Sequence, residues 1–172
     1  MLDDGEGEVI AANFARSAER EQLFNFGPDY LNTQVLAVTR RDANPPESMG
    51  DLVGLKIMVL SGSVHEEILR NAQRDHPDLK WESRDDVSIE DLLLAVADEA
   101  IDVTLVDANI FAINRVFHPR VDTAFVVEES LPHAWAFRHG DDDSLVEQAN
   151  AFMLQASVDG RLAGILRQFE TP

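Results

Sequence analysis

Apolar residues along this chain follow two patterns that alternate. Continuous runs, Glu8–Ala12, Thr33–Thr39, Leu55–Leu60, Ile101–Val106, Val121–Val127 and Ala134–Arg138, predict strands, with a shorter one at Trp81–Ser83. Between them, stripes spaced three and four residues apart predict amphipathic helices: Val64, Ile68, Leu69 and Ala72; Ile89, Leu92, Leu93 and Val96; Leu145, Ala149, Phe152, Met153 and Ala156; Leu162, Ile165, Leu166 and Phe169. Ser63 with Glu66, Ser88 with Asp91 and Ser144 with Glu147 are capping-box patterns that mark helix starts. Met49–Gly54 reads as a short helix and turn, Phe24–Tyr30 as a packed aromatic loop, and Asn109–Ile113 as the start of a helix stopped by Pro119.

The order strand, helix, strand, helix, strand from Leu55 onward is that of a parallel α/β lobe. Pro45-Pro46 cannot continue a strand or a helix and reads as a linker, and Pro132 marks a second crossing. The expected division is a first-lobe part with hinge at 1–46, a second lobe at 47–127 and a return to the first lobe at 128–172. Two crossings imply a hinged cleft.

Composition narrows the function. The 172 residues, 45% hydrophobic, suffice for one core or two small lobes. A formal charge of −18, from 32 acidic and 14 basic residues, argues against nucleic acid as a partner, since phosphates call for a basic surface. The acidic run from Glu82 to Asp102 reads as a solvated face. With no cysteine, disulfides and thiolate metal sites are excluded. His65, His76, His118, His133 and His139 lack ligand spacing, so no metal is expected, and nothing calls for a cofactor. No apolar stretch is long enough for a membrane span, and Met1–Val9 lacks the regions of a signal peptide, which places any export signal upstream. No Ser-His-Asp or Cys-His arrangement suggests catalysis by this chain.

The centre of the pattern is Ile101–Ile113, a buried strand ending in Asp107 before a helix. In open α/β sheets the carboxyl ends of strands face ligands, which makes Asp107 a binding candidate. The competing role is a cap on the following helix. Arg20, taken alone, fits a surface ion pair.

Several stretches resemble the family 3 extracellular solute-binding proteins. Ala11-Ala12-Asn13 through Glu19-Arg20, followed by Phe24–Tyr30, is similar to that family's "ITPER…DFSxPY" segment. SMGDLVGLKIMVLSGS, DVTLVDANI and the C-terminal DGRLAGILRQF resemble its later landmarks in the same order. Within the family, ANFARSAEREQLFNFGPDY, VDANIFAINRVFHP and LPHAWAFRHGDDDSLVEQANAFM look most like the binding modules of membrane-bound lytic murein transglycosylases.

The resemblance implies a two-lobed, type 2 periplasmic-binding-protein-like α/β fold with a hinged cleft. Its first lobe would be incomplete, because the chain starts where the family's opening β-α-β-α run ends. An edge left uncovered would invite a swapped homo-oligomer. By position, Arg20 matches the arginine that takes an amino-acid carboxylate, a task suited to a planar fork of donors. Ser63, with the amides that open its helix, matches the second carboxylate contact. Asp107 matches the acid that takes the ammonium. Asn13 lies nearby, where the family has a small residue. Tyr30 and Trp135 fit either a pocket wall or a packed core, and Phe14 and His65 lie beside the suspected cleft with no assigned role. Ala15 departs from the pattern, since a Thr or Ser hydroxyl is usual there.

The function implied is non-catalytic binding of a small zwitterionic or peptide-like ligand, an amino acid, peptide or muropeptide. The chain would be the periplasmic sensor of a transglycosylase, outer-membrane-associated in its parent, with a catalytic domain beyond Pro172. The alternatives are the amino-acid receptor of an ABC transporter, or a folded remnant that binds nothing.

Overall fold

The first crossing between units comes in mid-strand, at Thr33–Gln34, and not in the proline linker that follows. The structure is a computed structural model that describes residues 7–140 and 143–170, with the side chains of 169 and 170 excluded. Met1–Glu6 of the acidic N-terminal stretch, Asp141 and Asp142 of the expected 139–143 turn, and the last two residues lie outside the described residues. One compact unit comprises residues 1–33 and 131–172, the other residues 34–130. Two long strands pass from one unit to the other: β2 (Phe24–Arg40) and β6 (Val121–Arg138). Phe24–Tyr30, expected as a loop, is therefore the first part of a strand, and Pro132 lies inside a continuous one. Pro132 lacks a donor but still pairs, because its carbonyl accepts from the Arg16 amide at 2.8 Å.

In the 34–130 unit, β5 (Val103–Asp107) is buried along its whole length. On one side β2 runs antiparallel to it, with Val35 opposite Asp107 and Thr39 opposite Val103. On the other side Ile57 bridges Val103 in parallel, leading into β3 (Met58–Leu60), which pairs in parallel with β4 (Glu82–Arg84). The parallel α/β arrangement expected from sequence thus holds for β4, β3 and β5. Residues 34–40, expected with the first lobe, pair with β5 instead.

Both faces of this sheet are covered, which is why its strands read as continuous apolar runs and not as alternating ones. Leu36, Val38 and Val106 pack with Leu92, Leu93, Val96, Phe111 and Val121 in one cluster, while the intervening Val35, Ala37 and Leu105 are also fully buried. The connecting helices are α1 (Val64–Ala72), α2 (Ile89–Ala97) and α3 (Ala108–Asn114). Ser88 and Asp91 form the expected reciprocal capping box on α2. Met49–Leu52 is one turn of 3-10 helix with Leu52 buried.

In the other unit, β1 is only Val9–Ile10 and pairs with Phe137 and Ala136 of β6. The segment 14–16 is tied to the same strand by the Ala15–His133 bridge and the Arg16–Pro132 bond. Helix α4 (Ser144–Val158) is followed by α5 (Arg161–Glu170), with Gly160 at φ +79° in the turn between them, a conformation that favours glycine. Ser144 is the first residue of α4 and Asp143 its N-cap, so the third capping-box pattern is displaced by one residue. The Glu147 amide bonds to the Asp143 carbonyl, at 2.9 Å, as in an ordinary first turn. Gly27 is closely packed. A Cβ there would lie 3.1 Å from Asn150 Oδ1 and 3.7 Å from both the Phe137 ring and the Trp135 carbonyl.

Candidate functional site

The carboxyl ends of β3 and β5 carry the chemistry of the 34–130 unit. After Leu60 the chain turns through Ser61-Gly62, with Gly62 at φ +67°, and enters α1 at Ser63. Ser63 caps the helix: its hydroxyl donates to the Leu60 carbonyl at 2.7 Å and accepts from the Glu66 amide at 3.2 Å. Glu66 reaches back to the Gly62 amide at 2.7 Å instead of closing the box on Ser63, and it accepts the Ser83 hydroxyl at 2.6 Å. Those two bonds, the Ser83 hydroxyl first, hold the Glu66 carboxyl below its ordinary range. Among the first-turn donors, Glu66 N and Glu67 N are used by Ser63, whereas the amides of Val64 and His65 find no acceptor among the described residues.

Asp107 ends β5 and occupies the N-cap position of α3, yet its side chain makes no capping bond. It turns to His65 instead, with Asp107 Oδ1 2.8 Å from His65 Nε2 and both side chains only 8% exposed. A carboxylate accepts only, so Nε2 carries the proton of this bond. The other ring nitrogen of His65, Nδ1, is buried with no hydrogen-bond partner among the described residues. Of the two roles open to Asp107 from sequence, the helix cap is thus absent, and the carboxylate is held in a buried pair. Sequence reasoning left His65 without a role, because nothing near residue 65 announces a partner 42 positions later. Its place in the first turn, two residues after Ser63, was the available signal.

Arg20 and Asn13 lie in the other unit. Arg20 begins a 3-10 turn, Arg20–Gln22, and its Nη1 donates to the Ala15 carbonyl at 2.9 Å. Its guanidinium stacks on Phe14, 4.2 Å from the ring centroid. Phe14 in turn stacks on Phe26 at 5.9 Å and meets Phe24 edge-on at 5.7 Å. Arg16 covers Phe26 at 5.3 Å and bonds to the Gly27 carbonyl. This alternation of guanidinium and ring fixes the plane of Arg20, a contribution of Phe14 that the sequence did not reveal. Ala15 is 3% exposed, and Asn13 is exposed beside it.

Tyr30 donates to the Ala12 carbonyl at 2.7 Å, which ties β2 to the segment carrying Asn13, and burial pushes its phenol up. Trp135 stacks on Phe152 of α4 at 6.3 Å, with Arg161 over the far ring, a packing role. Ser63 and Asp107 therefore lie on one unit with His65, and Arg20, Asn13 and Tyr30 on the other. Among the described residues no group of three or more His, Asp or Glu is placed to hold a metal.

The sequence model of the bacterial extracellular solute-binding proteins, family 3, matches residues 1–171. The chain belongs to this family. Among curated proteins it is similar to the membrane-bound lytic murein transglycosylase F of Pseudomonas fluorescens, 36% identical over 163 residues that make up 94% of this chain and 34% of that protein. The protein of the same name from Saccharophagus degradans is 34% identical, covering 95% of this chain and 32% of its own length. The chain thus spans about a third of the curated relatives it matches.

Among solved structures, an ancestral arginine-binding protein bound to arginine superposes with a TM-score of 0.88 at 20% identity, covering 99% of this chain and 74% of that one. An arginine-binding protein from T. maritima gives 0.86 at 20% identity, covering 98% and 71%. The fold is accordingly the two-lobed type 2 solute-binding fold, and this family member matches a binding domain and not a catalytic one.

Proposed function

We propose that this family 3 domain is the ligand-binding sensor of a lytic murein transglycosylase, working in the periplasm on a small zwitterionic or peptide-like fragment of the cell wall. The observation that carries the reading is the junction of β3 and β5, where the amides of Val64 and His65, which have no acceptor among the described residues, open α1 beside the His65 ring that holds Asp107. Such amides, with the helix dipole behind them, favour a carboxylate. In the other unit Arg20, pre-oriented by Phe14, is suited to take a carboxylate. Asp107 and His65 then meet the nitrogen end of the ligand, and Asn13 and Tyr30 border the Arg20 segment. The catalytic domain belongs to the remaining length of the parent, which would be tethered at the outer membrane.

A second reading, an amino-acid receptor of a transporter, draws support from solved neighbours described as bound to arginine and to glutamine. Thermal shift separates the two, because a ligand that binds only the folded state raises the midpoint. Stem peptides and muramyl peptides are expected to raise it and Arg20→Ala to abolish the rise. A rise with one free amino acid and none with peptides would replace the sensor reading by the receptor one.

A further inference from the structure

We infer that the 34–130 unit carries a second binding site, away from Asp107, for a small organic ammonium with an aliphatic stem. The site is a cavity of about 240 Å³ lined by residues of that unit alone, where β2 ends and β5 begins. Val103, in its lining, precedes Asp107 by four residues, ~13 Å along the strand at ~3.3 Å per residue.

Buried apolar side chains, Val96, Ile101 and Val103, form part of the lining, together with the half-buried Leu55. Among them lies a buried polar one, Thr39, only 4% exposed. Thr104 of β5, buried as well, donates its hydroxyl to the Met58 carbonyl at 2.8 Å. The Thr39 hydroxyl has no such partner among the described residues, although it belongs to a side chain that borders the cavity. A buried hydroxyl is costly in that state, and a polar group entering the cavity would satisfy it.

The charged residues of the lining, Arg40, Glu99 and Asp102, decide the sign of that group. Arg40 is already engaged, by Asp42 and by Glu99 Oε1 at 2.6 Å, so its guanidinium is not free to take an anion. The carboxylates keep capacity. Arg40 uses one oxygen of Glu99, and the Lys56 amide donates to Asp102 Oδ2 at 2.7 Å, which leaves a second oxygen on each without a partner among the described residues. With Asp42, three carboxylates accompany one guanidinium, and a cation is favoured. An ammonium carries three donors and no acceptor, which matches the Thr39 hydroxyl and the two carboxylates, while its methylenes cover the apolar lining. A bare metal ion would leave that lining uncovered, and among the described residues no group of three acidic or histidine side chains is placed to hold one.

The test is titration of the isotope-labelled chain with n-butylamine hydrochloride, against sodium butyrate and sodium chloride at equal ionic strength, read by amide chemical shifts. The expected result is saturable shifts with the amine, centred on residues 39–44 and 96–103, and none with butyrate. Thr39→Val removes the hydroxyl at nearly constant volume. Glu99→Gly removes a carboxylate at φ +64°, a conformation that favours glycine. Neither change breaks a buried bond, so both variants should keep the thermal midpoint of the parent, and each should weaken amine binding about tenfold. Shifts that do not saturate, an equal response to butyrate, or an affinity that both variants leave unchanged overturns the inference. Shifts centred on residues 63–67 and 107 also overturn it, because the amine would then occupy the site proposed above. The solute-binding function stands in each of these cases.

Discussion

His65 Nε2 and Asp107 Oδ1 lie 2.8 Å apart, joining the first turn of α1 to the last residue of β5 in a bond that water scarcely reaches. Removing one member leaves the other buried without its partner, which costs about 3–5 kcal/mol. Asp107→Ala should therefore lower unfolding stability by about 3 kcal/mol or more in urea titration. The double variant with His65→Ala should lose clearly less than the sum of the two single changes. Additive losses would show that the two side chains do not act as a pair.

Glu66 gives the same region a pH dependence. Its carboxyl is held below the ordinary value of 4.5, chiefly by the Ser83 hydroxyl and then by the Gly62 amide. A carboxyl depressed by folding contributes stability that is fully present above its unfolded value and is lost as pH falls through the folded one. Stability should decline below about pH 4.5, and Glu66→Gln should flatten that part of the decline while lowering stability at neutral pH. Denaturant midpoints measured from pH 3 to 7 decide the point; parallel curves for the two proteins would remove Glu66 from the account.

Gly27 is expected to tolerate very little. An alanine Cβ would meet Asn150 Oδ1 at 3.1 Å, a contact that a small shift of that amide relieves. Valine adds two methyl groups toward the Phe137 ring and the Trp135 carbonyl, where nothing can retreat as easily. Gly27→Val should cost about 1–3 kcal/mol by overpacking, and Gly27→Ala under about 1 kcal/mol. Thermal unfolding of both variants tests the order, and equal midpoints would contradict the packing argument.

The capping box on α2 offers a local test. The Ser88 hydroxyl accepts from Asp91 N at 3.2 Å while the Asp91 carboxylate takes Ser88 N at 2.8 Å. Ser88→Ala should cost about 1 kcal/mol, because the orphan amide loses its acceptor. The same substitution at Ser144, a helical residue and not the N-cap, should cost less. Equal losses would mean that cap position makes no difference here.

The sequence by itself determined the elements and much of their order. Runs with both faces buried, such as Val35–Val38 and Val103–Val106, declared themselves by their unbroken apolar character, and Ser88-Ile89-Glu90-Asp91 declared its helix start. These signals are local, so periodicity and side-chain chemistry suffice to read them. The same holds for the family, whose landmarks recur along the chain in order. Tertiary structure decided where one unit gives way to the other. Proline mattered less there than pairing: β2 crosses before Pro45-Pro46 because Val35–Thr39 find β5, and β6 carries Pro132 because its carbonyl still pairs. It also decided what Asp107 does. Whether that carboxylate caps its own helix or pairs with a ring 42 residues back depends on which strand ends adjoin, and no local pattern encodes that adjacency. Arg20 follows the same logic, since its orientation comes from Phe14, whose ring is itself positioned by Phe26 of β2.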